Sequence, residues 1–573
     1  MTNIEIAWVF WEIADLLELN NDSFYKVRAY RKAAKTIKHL RCDINELYRL
    51  GKLRNLPSIG KTIAENIAEL LESGKCKIHE QLKKEVPISL RKILSIPGVG
   101  PKTIELIRKE LGITTIAELK EAAKHKKLRK LPGLGSKTEL NILRGIEMLE
   151  QKQLFSIPQG VALPFAKNLL NDLLSIQGVE KGSLCGSLRR AEELVQDIDL
   201  LIGTGKPELV KAALQAHPQV KDVITSGNEK NTVQTLLGLR VNVYLVQPED
   251  YWFALNYITG PIEFFSGLQE HAKKHGYSID KYSCYDKILK CNIAVQSEED
   301  IYRTLKIQFI PPEIRDSSRV IETASKGKIP TLIEKSDIKG DLHIHTSWSD
   351  GVNEIEEMAQ AAIEKGYKYI AITDHSKSLT IAKGLSVERL KEQHAHINKL
   401  NREYKDFQIL TGVEMDILQD GRLDYPDEVL AQCDVVIASI HTGLRQEKEK
   451  IQARFEAALK NPFVDIIAHP TGRIIGRRKP YDLDFDRFFD LVKKEKKIVE
   501  MNSSPDRLDL NGENVQKAVQ KYDIPIAINT DAHDIERLDD IEYGILTARR
   551  GWLSRRNVIN TLELDELKKI LRR

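Results

Sequence analysis

The sequence predicts a multidomain protein with three architectures in order: an all-α N-terminal region, an α+β middle region and a C-terminal barrel of seven β/α units. Three observations carry this expectation. Apolar residues recur at helical spacing through residues 4–18, 24–40, 62–72, 102–110 and 137–149. Two strand-like runs, 198–202 and 239–246, then break the helical pattern with β-branched residues and flanking turn signals. From residue 340 onward, short apolar strands near 341–345, 369–373, 408–413, 434–440, 464–468, 497–501 and 524–530 alternate with polar helices. Such alternation implies βαβ units and a parallel sheet, here one unit short of an eight-stranded barrel.

The composition is that of an ordinary globular chain. Its 573 residues are 42% hydrophobic and 30% charged, enough for several domains at roughly 100–200 residues each. No run of about 18 apolar residues is present, so no membrane span is expected. The first residues, acidic from Glu5, read as an amphipathic helix and not as a signal peptide. Six cysteines are scattered without a C-x-x-C pair, which argues for a reducing compartment and against a cysteine-ligated zinc. Charge is uneven. Residues 1–150 carry 28 Lys+Arg against 19 Asp+Glu, so +9 lies there and −5 in the remainder of a +4 chain. A basic N-terminal third suits a polyanionic partner.

Within that basic region one turn recurs three times. It reads Leu56-Pro-Ser-Ile-Gly60-Lys-Thr, Ile96-Pro-Gly98-Val-Gly100-Pro-Lys102-Thr and Leu131-Pro-Gly133-Leu-Gly135-Ser-Lys137-Thr. Each copy is a tight turn opening a helix. Glycine permits positive φ and close approach of a ligand, and the free N–H groups of the helix start suit a phosphate oxygen.

The middle region carries phosphoryl-transfer chemistry. Gly186-Ser187 makes a turn whose amides can approach a phosphate, and Arg190 can pair with it. Asp197 and Asp199, two apart on a strand, point to one face, as carboxylates holding Mg²⁺ must.

The barrel carries a second and denser constellation. His343 and His345 lie on the first strand with Asp350 beyond it. His375 follows the second strand, Glu414 lies on the third, and His441, His469, Asp531 and His533 sit at later strand ends. Strand C-termini of a β/α barrel converge on one face, so these residues are expected in one cavity. Imidazole and carboxylate suit Zn, Mn or Fe, and Glu414 can bridge two ions. Such ions activate water and neutralise a phosphoester.

These motifs resemble known families. Asp-Leu-His-Ile-His-Thr, Thr-Asp-His, Gly-Val-Glu, Ser-Ile-His, Ala-His-Pro and Thr-Asp-Ala-His are similar to the motifs of the polymerase and histidinol phosphatase (PHP) domain. That resemblance implies a distorted seven-stranded barrel with a trinuclear site of Mn²⁺ or Zn²⁺. Its nine ligands fall on His343, His345, Asp350, His375, Glu414, His441, His469, Asp531 and His533. The middle region resembles a family X DNA polymerase. Tyr257-Ile-Thr-Gly260 resembles its nucleotide-binding turn, and Lys26-Val-Arg-Ala-Tyr30-Arg-Lys-Ala-Ala34 its N-terminal domain. The threefold turn resembles helix-hairpin-helix motifs. The whole chain is similar to bacterial family X polymerases that carry a C-terminal PHP exonuclease.

The resemblance implies a division into an N-terminal helical DNA-binding domain (1–80), a helix-hairpin-helix fingers-like region (81–150), a nucleotidyltransferase palm (151–248), a thumb-like subdomain (249–318), a linker (319–338) and the PHP domain (339–573). It implies DNA contacts at Gly60, Gly98, Gly100, Lys102, Gly133, Gly135 and Lys137, and Mg²⁺ or Mn²⁺ with deoxynucleoside triphosphates at the palm. Three positions depart from the pattern. Asn242 stands where the family has its third catalytic aspartate, Pro261 where a serine is usual, and Asn66 where lyase members carry a Schiff-base lysine. The expected protein is therefore a monomeric, cytoplasmic, nucleoid-associated bacterial repair enzyme acting on gapped, nicked or 3′-ended DNA. Its main activity is expected to be metal-dependent 3′–5′ exonuclease, extending to abasic sites, with polymerase action weakened by Asn242. A gap-filling polymerase, a small-molecule phosphatase and a DNA-end binding scaffold are the alternatives. Arg473, Arg477 and Arg478, just after the His469 strand, are candidates to grip a substrate phosphate.

Overall fold

The helical periodicity of the N-terminal region is realised as a series of short amphipathic helices. Asn3–Leu19 buries Ile6, Phe10, Ile13 and Leu17 along one stripe, at the spacing a helix face requires. Phe24–Lys38 returns Val27, Tyr30, Ala34 and Ile37 against it, with the Phe10 and Tyr30 rings edge to face at 5.4 Å. Each such buried side chain contributes roughly 1.5–3 kcal/mol. Helices Ile44–Arg49, Lys61–Ser73, Lys77–Glu85, Ile88–Leu94, Pro101–Leu111 and Ile116–Lys124 continue the array. This computed structural model describes all residues except 2, 21, 39, 41, 42, 95, 97, 98, 136, 137, 141, 144, 145, 147–155, 236, 237, 572 and 573. Gly98 and Lys137 thus lie outside the described residues.

The repeated turns differ in one respect from the expectation. In the first and third turns the left-handed residue is the first of the pair, Ser58 at φ 64° and Gly133 at φ 78°. Gly60 and Gly100 are extended instead, at φ −81° and −97°, and serve as N-caps of the helices that follow. Ser58 thus adopts the turn without glycine, at a cost of about 1–2 kcal/mol.

The chain divides into two compact units, 1–188 with 194–258 and 189–193 with 259–573. The first unit includes a five-stranded sheet built from β1 (Val179–Cys185), β2 (Asp197–Thr204), β3 (Val220–Ser226), β4 (Lys230–Thr235) and β5 (Arg240–Val246). Its order is β1-β2-β5-β4-β3, and the central pair β2 and β5 is parallel, with Asp197 opposite Arg240 and Asp199 opposite Asn242.

The second unit opens with helix Ile262–Lys274 and a small antiparallel sheet of β6 (Tyr277–Ile279), β7 (Cys284–Asp286) and β8 (Cys291–Asn292). Residues 319–338, expected as a linker, contain helix Arg319–Ser325 with Val320, Ile321 and Ala324 buried. Ile333 also donates its backbone N–H to the Leu553 carbonyl at 2.9 Å.

Seven parallel strands then form the barrel: β9 (Gly340–Ile344), β10 (Tyr369–Ile372), β11 (Gln408–Asp416), β12 (Val435–Ser439), β13 (Ile466–Ile467), β14 (Ile498–Asn502) and β15 (Ile526–Asn529). They pair in sequence order. The last meets the first through a bridge between Ile344 and Ala532, where His345 N–H donates to the Ala532 carbonyl at 2.8 Å. Among the described residues no helix is long and apolar enough to cross a membrane.

Candidate metal centre and carboxylate pair

The barrel brings all nine sequence-nominated residues to the C-terminal ends of its strands, and Glu414 lies at their centre. One of its oxygens, Oε2, lies 3.5 Å from His343 Nε2, 3.4 Å from His345 Nε2 and 2.8 Å from His375 Nδ1. The other, Oε1, lies 3.0 Å from His469 Nε2 and 3.3 Å from His441 Nε2. Asp531 Oδ1 approaches His343 and His345 at 3.6 and 3.2 Å, and Asp350 Oδ1 approaches His375 and His533 at 3.5 and 3.4 Å. Ligand atoms form three overlapping groups, each within 4.8 Å: His345, Asp350, His375 and His533; His343, His345 and Glu414; His375, Glu414 and His441.

This donor set fits metal ions. His343 Nε2, both ring nitrogens of His345, His375 Nδ1 and Glu414 Oε2 are buried and make no hydrogen bond. A buried polar atom left so costs about 1–3 kcal/mol, and ions at these positions would satisfy them together. Several outer ring nitrogens are already engaged, which leaves the inner nitrogen as the donor. His343 Nδ1 meets Glu500 at 2.7 Å, and His533 Nδ1 meets the Asp531 carbonyl at 2.8 Å. His469 and Asp531 hold their side chains from left-handed backbone, at φ 27° and 55°. Such strain, about 1–3 kcal/mol per residue, gathers at functional sites.

The electrostatics follow from burial and sign. Burial alone would depress the His343 pKa, but Glu500, Asp531 and Glu414 raise it well above the ordinary value. His345 is pushed down to about 3 by burial and by His533 and His375 beside it, so it stays a neutral donor. Burial would raise Glu414 and Asp531, yet the surrounding imidazoles hold both well below the carboxylate range.

The arginines nominated beside the centre have other engagements. Arg473 sets Nη1 and Nη2 on Glu193 at 2.9 and 2.7 Å, and Arg478 Nε donates to the Gly472 carbonyl at 2.6 Å. The base at the edge of the cluster is Arg507, its Nε 3.7 Å from Asp531 Oδ2.

On the five-stranded sheet, Asp197 and Asp199 project from β2 toward Asn242 of β5. Asn242 Nδ2 donates to Asp197 Oδ2 at 3.0 Å and to Asp199 Oδ1 at 2.9 Å, while its Oδ1 accepts from the Thr232 hydroxyl at 3.0 Å. The opposite amide orientation would set an oxygen against two carboxylates, so this one is dictated. Gly186 sits at φ 59°, and a Cβ there would fall 2.2 Å from Asp199 Oδ2. Only glycine fits that position. Ser187 follows it on the short turn Gly186–Arg189. Arg190 donates to the Thr259 carbonyl at 2.6 Å and pairs with Glu192. Tyr257 is exposed, and Gly260 packs where a Cβ would meet the Phe264 ring at 2.6 Å.

At the repeated turns, a Cβ added at Gly60, Gly100, Gly133 or Gly135 would meet nothing within 4 Å. Their backbones therefore face open space, with Lys102 exposed on the second.

Comparison with known proteins agrees with this geometry. Family models match the chain as a helix-hairpin-helix domain (residues 1–76), a SAM-like helix-hairpin-helix tandem (90–147), a DNA polymerase beta thumb (254–316) and a PHP domain (341–504). A Bacillus subtilis (strain 168) protein named DNA polymerase/3′-5′ exonuclease PolX is 42% identical over 98% of both chains. The chain belongs to the family X DNA polymerases that carry a PHP domain. This family X member is also similar, over part of its length, to shorter proteins. Probable phosphatases of Thermoanaerobacter sp. (strain X514) and Thermoanaerobacter pseudethanolicus are each 29% identical over 40% of this chain and 94% of their own length.

Sequence reasoning missed Glu500, Asn502, Asp416 and Arg507 around the centre of this family X protein. The first three had a faint signal, a polar residue alternating with apolar ones on a buried strand. Thr232, which orients Asn242, had none.

Proposed function

We propose that this protein is a DNA repair enzyme whose PHP barrel hydrolyses phosphodiester bonds at 3′ ends, as a 3′–5′ exonuclease, and at abasic sites. The observation that carries the reading is the convergence of six histidines and three carboxylates about Glu414. His345, Asp350, His375 and His533 would hold one ion, His343, His345 and Glu414 a second, and His375, Glu414 and His441 a third, with His469 and Asp531 completing the shell. Mn²⁺ or Zn²⁺ suits these donors. Bound there, the ions would supply Lewis acidity toward the scissile phosphate and a lowered pKa for water. The chain's own groups do the rest. Glu414 is shared by two of the three groups, His345 stays a neutral donor, and Arg507 offers charge to a phosphate oxygen at the rim.

The palm is proposed to be a weak polymerase. The Asn242 amide lies between Asp197 and Asp199 where the family places a third carboxylate, and it brings neither charge nor a base. Deoxynucleoside triphosphates with Mg²⁺ or Mn²⁺ would meet Gly186, Ser187, Arg190, Tyr257 and Gly260 there. Lyase action through position 66 is proposed to be lost, because Asn66 cannot form an imine and is hydrogen-bonded to Tyr30; Lys61 is the alternative nucleophile. The hairpin turns at Gly60, Gly98, Gly100, Lys102, Gly133, Gly135 and Lys137 would hold gapped or nicked DNA by phosphate contacts, without reading sequence. The domain limits 1–80, 81–150, 151–248, 249–318, 319–338 and 339–573 are kept as the working division. The enzyme is taken to act as a monomer in the bacterial cytoplasm, at the nucleoid.

Two observations favour other readings. The name of the Bacillus relative supports a fully active polymerase with its own exonuclease. The probable phosphatases support a small-molecule phosphatase, against which stand the helix-hairpin-helix matches. Initial rates on 3′-ended DNA and on a free phosphomonoester, with Mn²⁺, separate them. Faster turnover of the phosphomonoester than of DNA would overturn the repair reading.

A further inference from the structure

A carboxylate offers four acceptor positions, and all four of Glu500 are filled. Oε1 accepts from His343 Nδ1 at 2.7 Å and Asn529 Nδ2 at 3.0 Å. Oε2 accepts from the His469 backbone N–H at 2.9 Å and Asn502 Nδ2 at 3.2 Å. The side chain is fully buried. Its partners lie on β9, just beyond β13, on β14 and on β15, so one residue ties the strands that carry His343, His469 and Asp531.

Donor direction here is fixed by the chain. The Asn529 Oδ1 accepts from the Leu342 N–H and from Asn560 Nδ2, at 3.2 and 3.1 Å. The Asn502 Oδ1 accepts from the Ser504 N–H at 3.0 Å. Both amides must therefore turn their NH₂ groups toward Glu500. A backbone N–H can only donate. With the carboxylate accepting on every side, His343 Nδ1 must carry the hydrogen, and Nε2 faces Glu414 and Asp531 at 3.5 and 3.6 Å. The same carboxylate anchors the backbone of His469 in its left-handed conformation.

We propose that Glu500 is the positioning residue of the metal centre: it sets His343 as an Nε2 donor and pins the turn that presents His469. The ion held by His343, His345 and Glu414 depends on it. The groups built on Asp350, His375, His441 and His533 make no hydrogen bond to Glu500 among the described residues and do not. This inference rests on the metal-centre reading given above.

Glutamine at 500 has one acceptor oxygen, so two of the four donors lose their partner. The full-length wild type, Glu500→Gln, His343→Ala and the double variant are dialysed against graded Mn²⁺ or Zn²⁺, and bound metal is counted by mass spectrometry. In E500Q one equivalent is expected to weaken about 10–100-fold, the usual effect of losing an outer-shell partner, with the others unchanged. Adding E500Q to H343A is expected to remove no further equivalent. Wild-type uptake by E500Q overturns the inference, as does loss of all equivalents together or extra loss on top of H343A, either of which marks general loosening of the barrel. If E500Q does not fold, Glu500→Asp takes its place: one methylene shorter, it cannot reach both His343 Nδ1 and the His469 N–H and is expected to lose the same equivalent. A wild type that takes up no metal sinks the metal-centre reading itself, a separate outcome.

Discussion

Restoring a third carboxylate to the palm, by Asn242→Asp, perturbs one atom group at the point where polymerase activity is proposed to be limited. In the present chain the Asn242 amide donates to Asp197 at 3.0 Å and Asp199 at 2.9 Å. Hydrogen bonds to charged groups contribute about 1.5–3 kcal/mol each, so losing both costs the metal-free palm about 3–6 kcal/mol. Repulsion adds to this, although three crowded carboxylates will take up a proton to limit it. For a unit of this size that cost corresponds to a fall in Tm of roughly 6–24 °C. Divalent metal should reverse it, because the same crowding becomes a binding site. Thermal melting with and without Mg²⁺, beside primer extension on gapped DNA, checks both arms. N242D is expected to melt lower without metal, to regain stability with Mg²⁺ by more than wild type does, and to extend primers at least about 10-fold faster. Equal metal-free melting of the two proteins would refute the reasoning, as would robust extension by wild type that Asp199→Ala abolishes.

Other predictions follow from the same geometry. Glu414→Gln should lower nuclease rate at least about 10–100-fold and weaken metal affinity by a similar factor, since its oxygens serve five histidines; wild-type metal affinity in that variant would contradict the bridging role. Gly100→Val should leave folding nearly intact, because a Cβ there meets nothing, yet weaken DNA binding about 10–100-fold by blocking a phosphate contact. Unchanged affinity in a gel-shift assay, or affinity insensitive to salt, would count against the hairpin role. Burial pushes the Glu298 carboxyl up, but the Arg315 and Arg189 guanidiniums override it and hold it at about 2, below an ordinary 4.5. Its stabilisation, about 3 kcal/mol, is therefore complete above pH 4.5 and lost as pH falls toward 2. Glu298→Gln should lower Tm at neutral pH and flatten its decline below roughly pH 5; an unchanged melting profile would remove this ion pair from the account.

The barrel and the nine candidate ligands that converge at its strand ends were legible because each signal is local. Strand alternation puts His343 and His345 on one side, and β/α connectivity brings strand ends together regardless of separation. The palm pair at Asp197 and Asp199 was legible for the same reason. Glu500 was not, because an isolated acid in an apolar strand has no local feature to say that its partners lie 157 residues earlier at His343 and 31 residues earlier at His469. Asn242 was visible as a departure, but its donation to both aspartates required Thr232 across the sheet. The hairpin turns show the limit of composition. Glycine was expected at the left-handed position, yet Ser58 takes it while Gly60 is extended. Residues 319–338, read as a linker, also include helix Arg319–Ser325 with Val320, Ile321 and Ala324 buried, which the proline and serine signals of the sequence do not announce.

The main activity is proposed to reside in the metal cluster of the barrel and not in the palm. A gapped DNA with a 5′-labelled primer, incubated with Mn²⁺ with and without nucleotides, tests it most directly when wild type is run beside His343→Ala and Asp199→Ala. Primer shortening that Asp199→Ala retains and His343→Ala abolishes is expected, with little extension by any of the three. Shortening that survives His343→Ala, or extension that dominates and vanishes with Asp199→Ala, would contradict it.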